Sequence, residues 1–182
     1  MTNGWHGYHL VGGHVALDLV NTVAWRGDAS RTMDRLPIPG FLPLWLDRTG
    51  LARGLEPAPE VIDSMADLRE NVYRLLTAPT ADDVARFNTR LGSAQTMAVA
   101  EPSLPLRWTI PITEADDVVP ALTLAADSLL RSPDAAQVRE CSGPACGWLF
   151  LDRTRNHSRQ WCSSQDCGNR ERARRHYRKT RT

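Results

Sequence analysis

Four cysteines constrain this chain more than any other feature. Cys141, Cys146, Cys162 and Cys167 are the only cysteines among its 182 residues, and they are spaced C-x4-C-x15-C-x4-C near the C-terminus. Two short pairs, separated by a segment long enough for a hairpin, can bring four sulfurs to about 2.3 Å from one tetrahedral ion. Gly143, Pro144 and Gly147 let the chain turn tightly at the first pair. The pattern therefore predicts one structural Zn2+ site. Two disulfides, an iron–sulfur or other redox centre and four unconnected thiols are the alternatives. Four thiolates would close the coordination sphere, which disfavours a catalytic zinc.

The residues around the cysteines predict a treble-clef-like order of knuckle, hairpin and ligand-bearing helix. Trp148-Leu149-Phe150-Leu151 reads as a strand, Asp152 to Asn156 as its turn, and the segment toward Trp161 as the return to the metal. A helix should begin near Gln165 or Asp166. On it Arg170, Arg174 and Arg178 recur every fourth position and share a face, which Arg175 and Lys179 extend sideways. Arg153, Arg155 and Arg159 fall in the hairpin turn and its return. These eight side chains are the candidate contacts to nucleic-acid phosphate or guanine. Trp148 and Trp161 read as core, and Gly168 and Asn169 as structural. Arg170 reads equally as a cation beside the thiolates or as a phosphate donor.

Charge divides the chain at the same place. Through Val138 there are 11 basic against 17 acidic residues, whereas Arg139 to Thr182 carries 11 basic against 4 acidic. The two parts suit different partners.

The acidic part reads as mainly helical. With 42% apolar residues overall, the chain can build an ordinary core. Val61, Met65, Leu68, Val72 and Leu75 predict an amphipathic helix after Pro57 and Pro59. Thr80 with Asp83 predicts a capping box for the next helix, with Val84, Phe87 and Leu91 as its stripe and the turn at Ala78-Pro79. A short helix over Leu42 to Thr49 should stop at Gly50. Short runs between Thr96 and Ile112, divided by Pro102 and Pro105, predict a small hairpin, and Leu122 to Leu130 another helix ending near Ser132-Pro133. The run Val15 to Val23 has no clear period, residues 26–40 read as a loop, and residues 4–13 as an irregular or strand-like lead-in.

Asp18 and Asn21 are the polar members of that apolar run. With Arg26 and Arg31 at its polar edge, they are the candidate ligand-binding residues. His6, His9 and His14 have no ligand-like spacing. No H-E-x-x-H, G-x-S-x-G or phosphate-binding glycine loop is present, so an enzyme is not expected. No basic segment followed by an unbroken apolar run opens the chain, and Pro120 and Asp127 interrupt the apolar stretch near Val118 to Leu130. A cytoplasmic protein without a membrane span is expected.

Trp148-Leu149-Phe150-Leu151-Asp152, Arg159-Gln160-Trp161-Cys162-Ser163 and Cys167-Gly168-Asn169-Arg170 together resemble the CGNR zinc-finger family. Ala16-Leu17-Asp18-Leu19-Val20-Asn21-Thr22, Leu44-Trp45-Leu46 and Leu68-Arg69-Glu70 are similar to the ABATE domain that accompanies this finger. The resemblance implies a bacterial transcription regulator, in which the finger is the DNA-binding element and the N-terminal domain senses stress or a ligand. The expected fold is α+β. A mainly helical domain with a small hairpin over residues 1–133 precedes a zinc finger over residues 134–182 that ends in a basic helix. Expected partners are double-stranded DNA, a small-molecule effector and a second copy of the chain. An RNA-binding zinc protein and a protein-interaction adaptor are the competing readings, separable by competition between structured RNA and duplex DNA.

Overall fold

The computed structural model describes residues 8–180, so His6 and positions 4–7 of the lead-in fall outside the described residues. The framework is set by helix α3 (Pro59–Thr77), where Pro59 starts the helix at a position that needs no backbone N–H. Val61, Met65, Leu68 and Val72 line its buried face. The next helix, α4 (Ala81–Met97), opens with the expected capping box. Thr80 Oγ1 accepts from the Asp83 N–H at 3.2 Å, and Asp83 Oδ2 accepts from the Thr80 N–H at 3.2 Å. Phe87 is buried and Leu91 partly so, but Val84 is exposed, because only one narrow edge of α4 meets the rest of the protein.

Helix α5 (Val118–Arg131) packs against both, burying Val118, Leu122, Ala126 and Leu129; Pro120 sits in its first turn, where a missing N–H costs little. Two glycines with positive φ bracket α2 (Phe41–Thr49): Gly40 at 76° and Gly50 at 74°. Gly50 ends the helix as expected, its N–H donating to Asp47 O at 3.1 Å.

The aperiodic apolar run is helix α1 (Val15–Val20). All residues from Ala16 to Val20 are buried, since α1 is enclosed by α3, α5 and the finger. A helix with no solvent face has no polar period to display. A two-stranded antiparallel pair joins β1 (Val23–Ala24), just before the expected loop, to β2 (Met33–Asp34) within it, and the expected hairpin pairs β3 (Val99–Glu101) with β4 (Arg107–Thr109). A third pair joins β5 (Val138–Glu140) to β6 (Leu149–Leu151), ahead of the terminal helix α6 (Cys167–Lys179).

This last pairing corrects one sequence expectation. The strand at Leu149 pairs backward, across the first cysteine pair, with Arg139 opposite Phe150, and not forward with the segment toward Trp161. Backbone hydrogen bonds from Cys141 N–H to Trp148 O (2.8 Å) and Ser142 N–H to Gln160 O (2.9 Å) show why. The knuckle itself is the hairpin turn, and the later segment lies across its tip as an irregular return.

One hydrophobic cluster runs through the molecule, from Phe41, Trp45 and Leu68 to Trp148, Phe150 and the four cysteines. Tyr8 sits at its centre, edge-on to Phe41 (5.4 Å between centroids) and to Trp148 (5.8 Å). Its hydroxyl donates to Asp18 O at 2.7 Å and accepts from Trp45 Nε1 at 3.0 Å.

Candidate metal centre and basic helix

The four Sγ atoms converge in the folded chain, all lying within 4.8 Å of one another, and all four residues are buried. Cys146 and Cys162 Sγ are 3.8 Å apart, Cys162 and Cys167 Sγ 3.6 Å. A tetrahedron with Zn–S bonds of about 2.3 Å has edges of about 3.8 Å, so the donor set fits Zn2+ in size and softness.

Local chain geometry explains the convergence. A Cβ on Gly143 would stand 2.9 Å from Cys167 Sγ and 3.3 Å from Cys141 Sγ, so only a residue without a side chain passes there. Ala145 (φ 60°) and Gly147 (φ 69°) complete the turn. Backbone N–H groups of Gly143 and Cys162 point at Cys141 Sγ from 3.4 and 3.3 Å. Ser163 Oγ accepts from the Gln165 and Asp166 N–H groups at 3.2 Å each, satisfying donors at the start of α6 and seating Cys167 as its first residue. Hydrogen bonds from the other three cysteines, with one from Arg170 Nη2 at 2.9 Å, hold the Cys167 thiol far below the usual thiol range. Arg170 thus stands beside the thiolate cluster, one of its two expected positions.

The candidate nucleic-acid residues separate into two groups. Arg155, Arg174, Arg175 and Lys179 are exposed, as is Arg178, which pairs with Glu171 at 3.0 Å; Arg153 pairs with Asp134 at 2.9 Å. Arg159 is turned inward. Its guanidinium donates to the carbonyls of Trp161 (3.0 Å), Leu151 (3.4 Å), Val11 (3.3 Å) and Cys162, and stacks 4.1 Å from the Phe150 centroid. It ties the irregular return to β6 and the N-terminal segment. Asn169 Nδ2 donates to Gln165 O at 2.8 Å, and Trp148 is buried with its indole N–H on Val23 O at 2.8 Å, both in the structural roles expected of them.

The candidate ligand residues lie along the seam between the helical part and the finger. Asn21 is fully buried and pairs with the backbone of Leu149 twice: Nδ2 donates to its carbonyl, and Oδ1 accepts its N–H, both at 2.8 Å. Asp18 Oδ1 accepts from the Gly12 N–H at 2.9 Å. Arg26 makes a two-pronged ion pair with Glu70 (2.8 and 3.1 Å) and donates to Val20 O at 3.0 Å. Glu70 also accepts from Arg69, whose guanidinium forks onto Asp34 at 2.7 and 2.8 Å. Arg31 is exposed, pairs with Asp28 at 2.7 Å and covers the Trp25 ring at 3.8 Å. Arg170 approaches the same ring at 4.6 Å. Trp25, with φ of 58°, is a seam residue set apart by its position between two arginines. His14 caps α1 by accepting from the Ala16 N–H at 3.2 Å, and burial lowers its pKa.

Asp18 yields a pH prediction. Burial raises its carboxyl from 3.8 to about 6, partly opposed by the Gly12 hydrogen bond. The folded state therefore binds this proton more tightly than the unfolded one, and stability falls as pH rises from about 4 to 6. Asp18→Asn keeps an acceptor for Gly12 and removes the charge. It should flatten the stability profile in that window and raise stability above it by at most on the order of 3 kcal/mol, as urea midpoints at several pH values will register. An unchanged slope would contradict the assignment.

A helical body that shares its core with a four-cysteine knuckle and carries a cation-rich terminal helix defines an α+β zinc-finger protein. The profile of the ABATE family, described as "Putative stress-induced transcription regulator", matches residues 13–140, and that of the CGNR zinc finger matches residues 137–180. The chain belongs to the ABATE family and ends in a CGNR zinc finger whose metal is Zn2+. Both families are regulatory or zinc-finger types, not enzymatic ones. None of the curated proteins compared with the chain matches it. No helix among the described residues is long and apolar enough to cross a membrane.

Proposed function

We propose that this chain is a cytoplasmic transcription regulator that binds duplex DNA through α6, with Cys141, Cys146, Cys162 and Cys167 as the zinc ligands. Residues 134–182 carry the contact, and residues 1–133 bear the stress or ligand response and present the finger to a symmetric site as a dimer. The observation that supports the reading is the seating of α6. Only Cys167 and Gly168 of this helix are buried; Arg170 leans back on Cys167 Sγ and Arg172 on Ser164 O, while Arg174, Arg175, Arg178 and Lys179 lie exposed farther along. Arg170, Arg174 and Arg178 stand on one face at intervals of about 6 Å; Arg174 and Arg178 can each place two N–H donors on one phosphate or guanine, and Arg170 can do so on leaving Cys167 Sγ. Zinc supplies the fixed base from which the helix leaves; the arginines supply the binding.

Duplex affinity of the zinc-loaded chain, measured by fluorescence anisotropy over a salt series, tests this. Affinity should fall steeply with salt, and Arg174→Ala or Arg175→Ala should weaken binding to all sequences and lower the log–log slope by about 1 each where a phosphate contact is lost. Salt-independent binding, or displacement of the duplex by structured RNA at equal salt, would overturn the DNA reading. Solution mass with and without DNA decides the dimer; a monomer that binds a single half-site with full affinity rejects it.

A further inference from the structure

Away from the seam, a cavity of about 1280 Å3 lies between α5, the end of α4 and the extended segment from Leu106 to Ile112. It contains none of the cysteines and none of the arginines assigned above to DNA. Its lining is mixed: Leu51, Leu106, Trp108, Ile110, Ile112 and Leu124 form the apolar part, Gln95, Thr109 and Asp127 are among the polar residues, and α5 adds the small side chains Ala121, Ala125 and Ser128. The volume exceeds the about 300–1,000 Å3 usual for small-molecule sites, so a ligand would occupy only part of it.

Two further observations specify what would fill it. First, large exposed hydrophobic side chains gather on its lip. Trp108 is 55% exposed, Leu106 58% and Leu104, at the turn of the same hairpin, 94%. Second, the lining carries a surplus of positive charge. Arg107 and Arg131 stand against a single carboxylate, Asp127, and His14 accepts a hydrogen bond at Nδ1 and is neutral. Asp127 is buried and accepts from Arg131 Nε at 3.0 Å, which fixes the guanidinium at the mouth; Glu101, the cross-strand neighbour of Arg107, does not line the cavity. A cavity with an apolar wall around Trp108, Ile110 and Leu124 and one net cation at its rim suits an aromatic body bearing one acidic group.

We propose that this cavity is a binding site for an aromatic small molecule carrying a single negative charge, its rings against Trp108, Ile110 and Leu124 and its acid group between Arg107 and Arg131. The site would be the effector site of the proposed sensor, and its regulatory meaning rests on that reading; occupancy itself does not.

The zinc-loaded full-length chain should be titrated with 1-anilinonaphthalene-8-sulfonate and with N-phenyl-1-naphthylamine, the same rings without the sulfonate. One sulfonate probe should bind per chain. The double substitution Arg107→Ala, Arg131→Ala, on exposed side chains, should weaken the sulfonate probe at least fivefold and the neutral probe less than twofold. Ala125→Trp, which puts an indole into the floor of the cavity, should weaken both at least fivefold. Unaltered sulfonate binding by the double-arginine variant overturns the proposal whether or not Ala125→Trp folds, as does binding of several probes insensitive to either change. Duplex affinity measured on the same samples separates the two readings. One-site, arginine-dependent probe binding in a chain with no DNA affinity sinks the regulator and keeps the cavity; DNA affinity without such probe binding does the reverse.

Discussion

Replacing Cys162 with alanine, or stripping the zinc with a chelator, should destabilise the helical body together with the finger. The expected result is loss of near-UV circular dichroism from Trp148 and a fall in melting temperature of at least about 10 °C for the whole chain. Structural zinc in small fingers stabilises folding by about 10–16 kcal/mol near neutral pH, and each kcal/mol moves the midpoint of a chain this size by about 2–4 °C. The effect spreads because the cysteines are members of the main hydrophobic cluster, where Phe150 and Leu149 lie with Tyr8, Leu17 and Trp45. Four uncoordinated thiols in that position are polarisable but repel as thiolates, and the pieces of chain they join have no other covalent constraint. Hydrogen exchange will locate the loss: amides of α1 and β6 should exchange together in the metal-free protein. Retained protection in α1 alongside a melted finger would show two independent folding units instead.

Asn21→Ala should cost about 2–4 kcal/mol, more than its size suggests. The side chain is fully buried, and its amide satisfies both backbone polar groups of Leu149 at 2.8 Å, a residue 128 positions later. Truncation removes two hydrogen bonds and leaves a buried N–H and a buried carbonyl without partners, each at about 1–3 kcal/mol before relaxation or water entry. Asn21→Asp is the sharper comparison, since it preserves the acceptor for Leu149 N–H and loses the donor for its carbonyl while burying a charge. Urea unfolding of the three proteins gives the comparison directly. A change below about 0.5 kcal/mol for Asn21→Ala would mean that the seam is held by its apolar contacts alone.

Several elements are legible in the sequence because their determinants are local. The 61, 65, 68, 72 series, the Thr80–Asp83 capping box and the stop at Gly50 each encode an element within a few residues, and all three are present. The cysteine spacing likewise states its chemistry without the fold. What sequence hides is pairing over distance. Val138 to Glu140 has nothing to distinguish it from a linker until β6 lies beside it, and a polar residue such as Asn21 looks available for a ligand until its partner on Leu149 is in place. Arg159 resembles the other arginines of its segment, yet it is the one directed onto internal carbonyls, a difference set by where the return chain crosses. The cavity beside Trp108 is a property of three elements meeting at their small or alternating side chains, and no single stretch announces it.

The shallow seating of α6 has one more consequence. Since its burial ends at Gly168, and Asn169, Arg170 and Arg172 bond back to the finger, the exposed positions from Ala173 onward are answerable chiefly to whatever the helix touches. A tail of this kind can be rewritten by grafting, exchanging one target preference for another in a single cassette, while the thermal midpoint of the host barely moves.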